Sequence, residues 1–359
     1  MYKRYIHLAA IIAISTACIV MQGCGKAKEK MKMPTIKMVT SDDVISVSAP
    51  DDTQVWIAGD FGVIYHSADS GETWVEQKSG VDSLLCDSMF IDGKNGWVAG
   101  IKGVMLHTAD GGVTWKRQNT GTNRHLMAVW FADKEWGWAV GEYSTILHTK
   151  DGGSTWTRQG EESDKIFNRV CFTDRENGWI VGEGGIILRT ANSGATWEPV
   201  VPEFFKRETL EDEYDNPRPT LFGLHFSDAQ HGWVCGMDST IMRTTDGGGS
   251  WELLKTKKGE PIFNIFVREN LGWAVGNKGT YLMSRDGGMT WVKEDEIIKS
   301  KLRLADVVFS SRDAGWIVGA AGTILKTTDA GESWSFCSGL SYVFEGFKMP
   351  AGLEKNIIE

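Results

Sequence analysis

Seven tryptophans, Trp56, Trp97, Trp138, Trp179, Trp233, Trp273 and Trp316, are each followed 18 residues later by another: Trp74, Trp115, Trp156, Trp197, Trp251, Trp291 and Trp334. Successive first members lie 41, 41, 41, 54, 40 and 43 residues apart, so one unit used seven times accounts for fourteen of the sixteen tryptophans. In a repeat protein the period, not the total of 359 residues, sets the architecture. Each unit reads as four short strands, a to d; in the third unit these are Leu126 to Phe131, Gly137 to Gly141, Thr145 to Thr149 and Thr155 to Gln159. Four strands in about 41 residues is the period of a propeller blade, and β-helix repeats are much shorter. The expected fold is therefore all-β: a seven-bladed β-propeller over residues 41–349, with four antiparallel strands per blade and a tail at 350–359. The 42 glycines against 8 prolines suit a chain of tight turns between short strands. Ring closure is left open, because Val44 to Ala49 and Tyr342 to Met349 both suit the first strand of blade 1.

The turn from c to d carries a second signature, Ser67-Ala-Asp69-Ser-Gly71-Glu-Thr73-Trp74 in the first unit and Thr108-Ala-Asp110-Gly-Gly112-Val-Thr114-Trp115 in the second. Here the Asp side chain can accept backbone N–H groups, the Gly three before Trp supplies a positive φ, and the Trp covers the hairpin. Calcium binding and catalysis by this Asp are poor alternatives. One carboxylate per turn falls far short of the six to eight oxygens calcium takes, and Asn192 replaces Asp in the fourth unit. No catalytic residue, metal or cofactor is expected.

Because strand direction alternates, all seven Asp-containing turns share one face, and the b-to-c turns and d-to-a connections share the other. The second face varies between repeats and receives the one large insertion, Val201 to Thr220, rich in acidic and aromatic residues. Either function or plain solvation fits that loop. Near the starts of strands a stand Arg124, His125, Arg169, Lys301 and Arg303, with Tyr143 in the third b-to-c turn; these are the candidate partner-binding residues. In an acidic protein such a group would attract a carboxylate or phosphate, although surface salt bridges explain it almost as well. His66, His107, His148, Arg189, Arg243 and Lys326 occupy one repeated position in strand c, with Met283 in the seventh blade; they read as surface-facing or inter-blade polar residues, or a basic arc. Blades lie too far apart for these His to share a metal. Trp130 and Trp136 fall outside the pattern and are the tryptophans open to ligand contact.

Lys3 and Arg4 precede an apolar run from about Leu8 to Met21, too short to span a bilayer comfortably, ending in Met21-Gln22-Gly23-Cys24. Residues 1–23 read as an export signal, with Cys24 as a lipid-modified first residue of lipoprotein type, or with ordinary cleavage nearby. Residues 24–40 read as a basic tether or plain linker on the periplasmic side of a bacterial membrane. Removing residues 1–23 takes away two positive charges and no acidic ones, moving the net charge from -9 to -11, which excludes nucleic acid as a partner. Cys86, Cys171, Cys235 and Cys337 lack metal or redox spacing and read as buried free thiols. A monomer is expected.

The unit Gly-Trp-x-Val-Gly followed by Gly-x-Ile-Leu-x-Thr-x-Asp-Gly-Gly-x-Thr-Trp resembles the photosystem II assembly and stability factor family of cyanobacteria and chloroplasts, over about residues 44–349. The resemblance implies a non-enzymatic propeller on the lumen or periplasm side that binds a newly made membrane-protein subunit. Sialidases, sortilin receptors and xyloglucanases also carry the Asp-containing turn, called the Asp box. The alternative is therefore a sialidase-type glycoside hydrolase built from Arg124, Arg169, Arg303, Tyr143 and Glu142, which would need those groups to converge.

Overall fold

The computed structural model describes residues 39–206, 217–254, 256 and 259–338. Among them, 28 strands form seven four-stranded antiparallel sheets, each taken from four consecutive strands. The innermost strands are Val44–Ser48, Leu85–Phe90, Leu126–Phe131, Phe167–Phe172, Leu221–Phe226, Ile262–Arg268 and Leu304–Phe309. Each packs against the next and the last packs against the first, so the ring is closed. Val44–Ser48 takes the inner place of blade 1; the competing Tyr342 to Met349 lies outside the described residues.

Strand b is buried along its whole length in every blade, as Gly137–Gly141 shows. Its glycines are required by close approach: a Cβ on Gly141 would lie 1.9 Å from the His125 carbonyl oxygen, and one on Gly137 would lie 2.4 Å from the Phe131 ring. In five blades the Trp of strand b stacks on the last Phe of the next blade's inner strand, with centroids 3.6 Å apart for Trp97 and Phe131 and 3.7 Å for Trp138 and Phe172. On its other side His66, His107 and His148 stack on Trp56, Trp97 and Trp138. In six blades, all but that of Trp316, the indole N–H then donates to the Asp-box turn of the following blade, as from Trp97 to the Gly152 carbonyl at 3.0 Å and from Trp273 to Ala330 at 2.8 Å. One residue type thus joins strands b and c, the next inner strand and the next turn.

The Asp-box turns are tied as their residue types suggest. Asp110 Oδ1 accepts the Thr114 amide at 2.9 Å and Oδ2 accepts the Thr114 hydroxyl at 2.7 Å, while the Gly112 amide donates to Thr108 Oγ1. Asn192 keeps the same amide bond from Thr196, at 2.9 Å, and donates its own Nδ2 to the Thr196 hydroxyl. The tryptophans that close these turns are less buried than those of strand b: only Trp251 is fully buried, and its six counterparts are half-buried.

An inner strand has a sheet partner on one side only, so its outer row of amides needs other acceptors. The preceding blade supplies them through side chains. Ser46 Oγ accepts the Ser88 amide, Asp87 Oδ2 the Val129 amide, Asp306 Oδ2 the Val47 amide and Ser48 Oγ the Phe90 amide, all at 2.9–3.0 Å. The Asp306 bond crosses the seam between blades 7 and 1. Asp43 reinforces that seam by accepting the Ala321 amide at 2.9 Å, and the Gly322 amide donates to the Asp42 carbonyl at 3.0 Å.

Candidate functional site

The first residue of each inner strand lies opposite the last residue of strand b, as Leu126 does opposite Gly141. The starts of strands a and the b-to-c turns therefore share the variable face. Each of these turns holds a residue with positive φ at its tip: Phe61, Lys102, Tyr143, Gly184, Asp238, Lys278 and Ala321. In five blades the following residue is a left-handed Gly packed on the d-to-a connection; a Cβ on Gly279 would lie 1.8 Å from the Ser300 carbonyl oxygen. In blades 3 and 5 that residue is Ser144 or Ser239, also left-handed, and its hydroxyl reaches Ser163 or the Glu260 carbonyl instead.

The candidate residues fall into three places. Arg124, His125 and Tyr143 come together at blade 3: the Arg124 guanidinium lies 3.7 Å over the Tyr143 ring and 3.0 Å from Glu162, and His125 Nδ1 lies 2.5 Å from Glu142. Arg303 pairs with Asp43 at 3.0 Å beside the seam, and Lys301 nearby is exposed. Arg169 is elsewhere, inside the channel, where its two nitrogens face Asp87 at 3.0 Å and Asp306 at 3.5 Å. Burial opposes its charge, yet the two carboxylates more than offset this and hold the guanidinium pKa above its ordinary value. Burial likewise pushes the Asp306 carboxyl above the usual carboxylate range, against the pull of Arg169. The three arginines are thus individually paired rather than free.

Asp87 and Asp306 are the residues that sequence reasoning missed. Their signal is the third position of the inner strand, which reads Ser46, Asp87, Ala128, Arg169, Gly223, Asn264 and Asp306 where its neighbours are mostly apolar. Of these, Asp87, Arg169, Asn264 and Asp306 line part of a cavity of about 120 Å³ with His225 and Phe266. Also missed were exposed apolar groups on the variable face: Phe61, Met237, Ile166 and Val201. They carry no repeat signal, because each belongs to a connection of its own.

Other expectations need correction. The strand c histidines do not form half of a basic arc, because burial lowers the pKa of His66 and His107 and takes His148 down to about 4. The insertion is not simply solvated: Phe205 is buried between blades 4 and 5 with Trp179 and Leu221, while residues 207–216 lie outside the described part. Trp136 packs between Lys150 and Arg175 on the Asp-box face, and Trp130 pairs with Trp138 across strands. Cys86 and Cys235 are buried but Cys171 and Cys337 only half-buried; Cys86, Cys171 and Cys235 are free thiols. Cys24 lies outside the described residues. Arg124, Arg169 and Arg303 answer to separate carboxylates, so these pairings bring no triarginyl cleft together. Among the described residues no three His, Cys, Asp or Glu side chains group as a metal site.

The family model for the photosynthesis system II assembly factor YCF48 matches residues 12–107, 74–160, 114–203 and 261–341. A structure of YCF48 bound to a D1 peptide aligns with a TM-score of 0.66 at 22% identity, over 84% of this chain and 96% of that one. YCF48 from Cyanidioschyzon merolae aligns equally well, at 20% identity over 81% and 97%. A GH74 xyloglucanase from Xanthomonas campestris shares the fold at 12% identity, with a TM-score of 0.66 over 85% of this chain and 56% of that one. No curated protein matches the sequence.

Proposed function

The chain belongs to the photosynthesis system II assembly factor YCF48 family, and from that premise we infer that it is a non-enzymatic scaffold holding an extended segment of a membrane-protein subunit on its variable face. The supporting observation is the YCF48 structure with a D1 peptide bound, a propeller of this architecture with a segment of another protein as its ligand. The repeat supports the choice of face. Positions common to all blades are spent on stacking and turn bonds, which leaves the b-to-c turns and d-to-a connections free to differ. Arg124 with Tyr143, and Arg303 with Lys301, are the groups placed to meet a partner's carboxylates, and His125 fixes Glu142 beside them. Arg169 contributes from inside the channel by holding Asp87 and Asp306. Export and lipidation at Cys24 would place this scaffold beside its client at the membrane surface.

Exposed pairs such as Arg124–Glu162 are worth about 1 kcal/mol or less, so a partner's carboxylate can displace the resident one. Reversing Arg124 and Arg303 to Glu together should cost roughly 2 kcal/mol of binding, about thirtyfold, without disturbing the ring. Affinity purification of membrane clients with this double variant is the test; undiminished recovery, with loss on deleting residues 207–216, would move the site to the insertion. Labelling with a palmitate analogue, present in the wild type and lost in Cys24→Ala, tests the anchor. Turnover of fluorogenic sialosides or glucans would restore the hydrolase reading.

A further inference from the structure

A second surface lies on the outer wall of blade 7, beside the variable-face rim. Between the connection into blade 7 and the outer half of that blade lies a groove of about 300 Å³, lined by Ile297, Ile298, Leu325, Trp334 and Phe336. Ile298 and Leu325 form its buried floor, Trp334 is half-buried, and Phe336 is left 39% exposed. Glu296 and Lys299 stand at the edge, paired at 3.3 Å. An aromatic side chain so exposed on the outermost strand of a sheet leaves apolar area in water and presents an edge open to pairing.

Phe336 lies on Ser335–Ser338, the last described strand, which pairs with Thr323–Thr327. Strand d runs from the Asp-box turn toward the variable face, so the chain leaves Ser338 at the end where the connection Glu294 to Arg303 also sits. The 21 residues that follow contain Leu340, Tyr342, Val343, Phe344, Phe347 and Met349 within ten positions. So dense an apolar stretch is costly to leave in water. In the other blades the corresponding stretch enters the next inner strand. After blade 7 that place is already held by Val44–Ser48, hydrogen-bonded to strand b and tied across the seam by Asp306. The groove begins two residues before the exit point, and at about 3.3 Å per extended residue the whole segment can reach it. Glu345 and Lys348 repeat the three-residue spacing of Glu296 and Lys299, so opposite charges can meet along its edge.

We propose that residues 340–349 fold back and seat their aromatic side chains in the groove formed by Ile297, Ile298, Trp334 and Phe336, closing the outer edge of blade 7. The chain is then its own ligand at this surface, independently of any partner on the variable face. Hydrogen exchange on the full chain tests it. Amides of residues 340–349 should exchange at least tenfold more slowly than in a free peptide of the same sequence. Phe344→Ser with Phe347→Ser should release the segment and speed exchange at Ile297 to Lys299. Phe336→Ser, changed on the groove side, should release it equally while the seven inner strands stay protected. Free-peptide exchange of 340–349 in the wild type would overturn the proposal, as would protection that survives Phe336→Ser. Protection that rises with protein concentration would assign the groove to a second copy. Protection of 340–349 accompanied by exposure of Val44–Ser48 would mean that the segment had displaced the inner strand instead. Either result rejects the intramolecular seat.

Discussion

Arg169 shows how one side chain can be committed by its surroundings. Asp87 and Asp306 are almost wholly buried, and each already accepts a main-chain amide from the next blade. Without the guanidinium their charges would be left in a low-dielectric channel, a situation worth about 3–5 kcal/mol. Arg169→Met is therefore expected to lower stability by about 3 kcal/mol in urea unfolding, with much of the loss recovered when Asp87→Asn and Asp306→Asn are added. Buried histidines set a second dependence. Burial, aided by Lys150, takes His148 down to about 4; burial does the same to His225, against the opposing pull of its bond to the Val267 carbonyl. Both are neutral in the folded state, so the unfolded chain binds more protons once pH falls below about 6.5. Stability should accordingly drop between about pH 6.5 and pH 4, and this contribution flattens below 4. Urea midpoints of wild type and His148→Gln across that window check the sign, with a shallower slope expected in the variant. Arg169 was visible in the sequence as a cation near a strand start. Its partners were not, because the register that turns Asp87 and Asp306 toward it depends on a bulge at the start of each inner strand.

A blade is held to its neighbour chiefly by the Trp and Phe stack and the bond from the indole to the next turn. Phe131 is 1% exposed against Trp97, and Phe131→Ala should cost about 3–5 kcal/mol, read from the unfolding midpoint. The Asp-box turn depends on geometry more than charge. Asp246→Asn should be nearly neutral, since Asn192 already makes the equivalent amide bond, whereas Asp246→Ala loses the bonds to the Ser250 amide and hydroxyl and should cost about 1–2 kcal/mol. These elements were legible in the sequence because one spacing repeats seven times. Strands a, b and c of blade 3 begin and end where their residue pattern places them. Strand d begins at Thr157 rather than Thr155, because Asp151 holds the Thr155 amide and hydroxyl within the turn. The half-burial of the turn tryptophans was not legible, since equal spacing does not reveal distance from the ring's outer wall.

For the molecule as a whole, the decisive junction is the seam between blades 7 and 1. Two apolar segments suit the inner place of blade 1, and hydrophobic pattern alone cannot rank them. The hydrogen bonds from Val47 to Asp306 and from Ala321 to Asp43 belong to Val44–Ser48 and the residue just before it. Removing residues 1–38 should leave the thermal transition of the ring unchanged, whereas extending the deletion through Ser48 should abolish cooperative melting in calorimetry and promote aggregation through the bared edge of blade 1. The face chosen for partners was legible as the place where repeats differ, but the pairing of its cations was not, because Asp43, Glu142 and Glu162 lie on other connections than the arginines they meet or the turn they brace. Among the described residues each blade uses one uninterrupted stretch of chain, and the seam is joined by side chains and turn bonds rather than by a strand lent from the other end. The ring therefore has no obligatory first blade. Circular permutants that open at any other d-to-a connection and join Ser338 to Val39 by a short linker should regain the same fold.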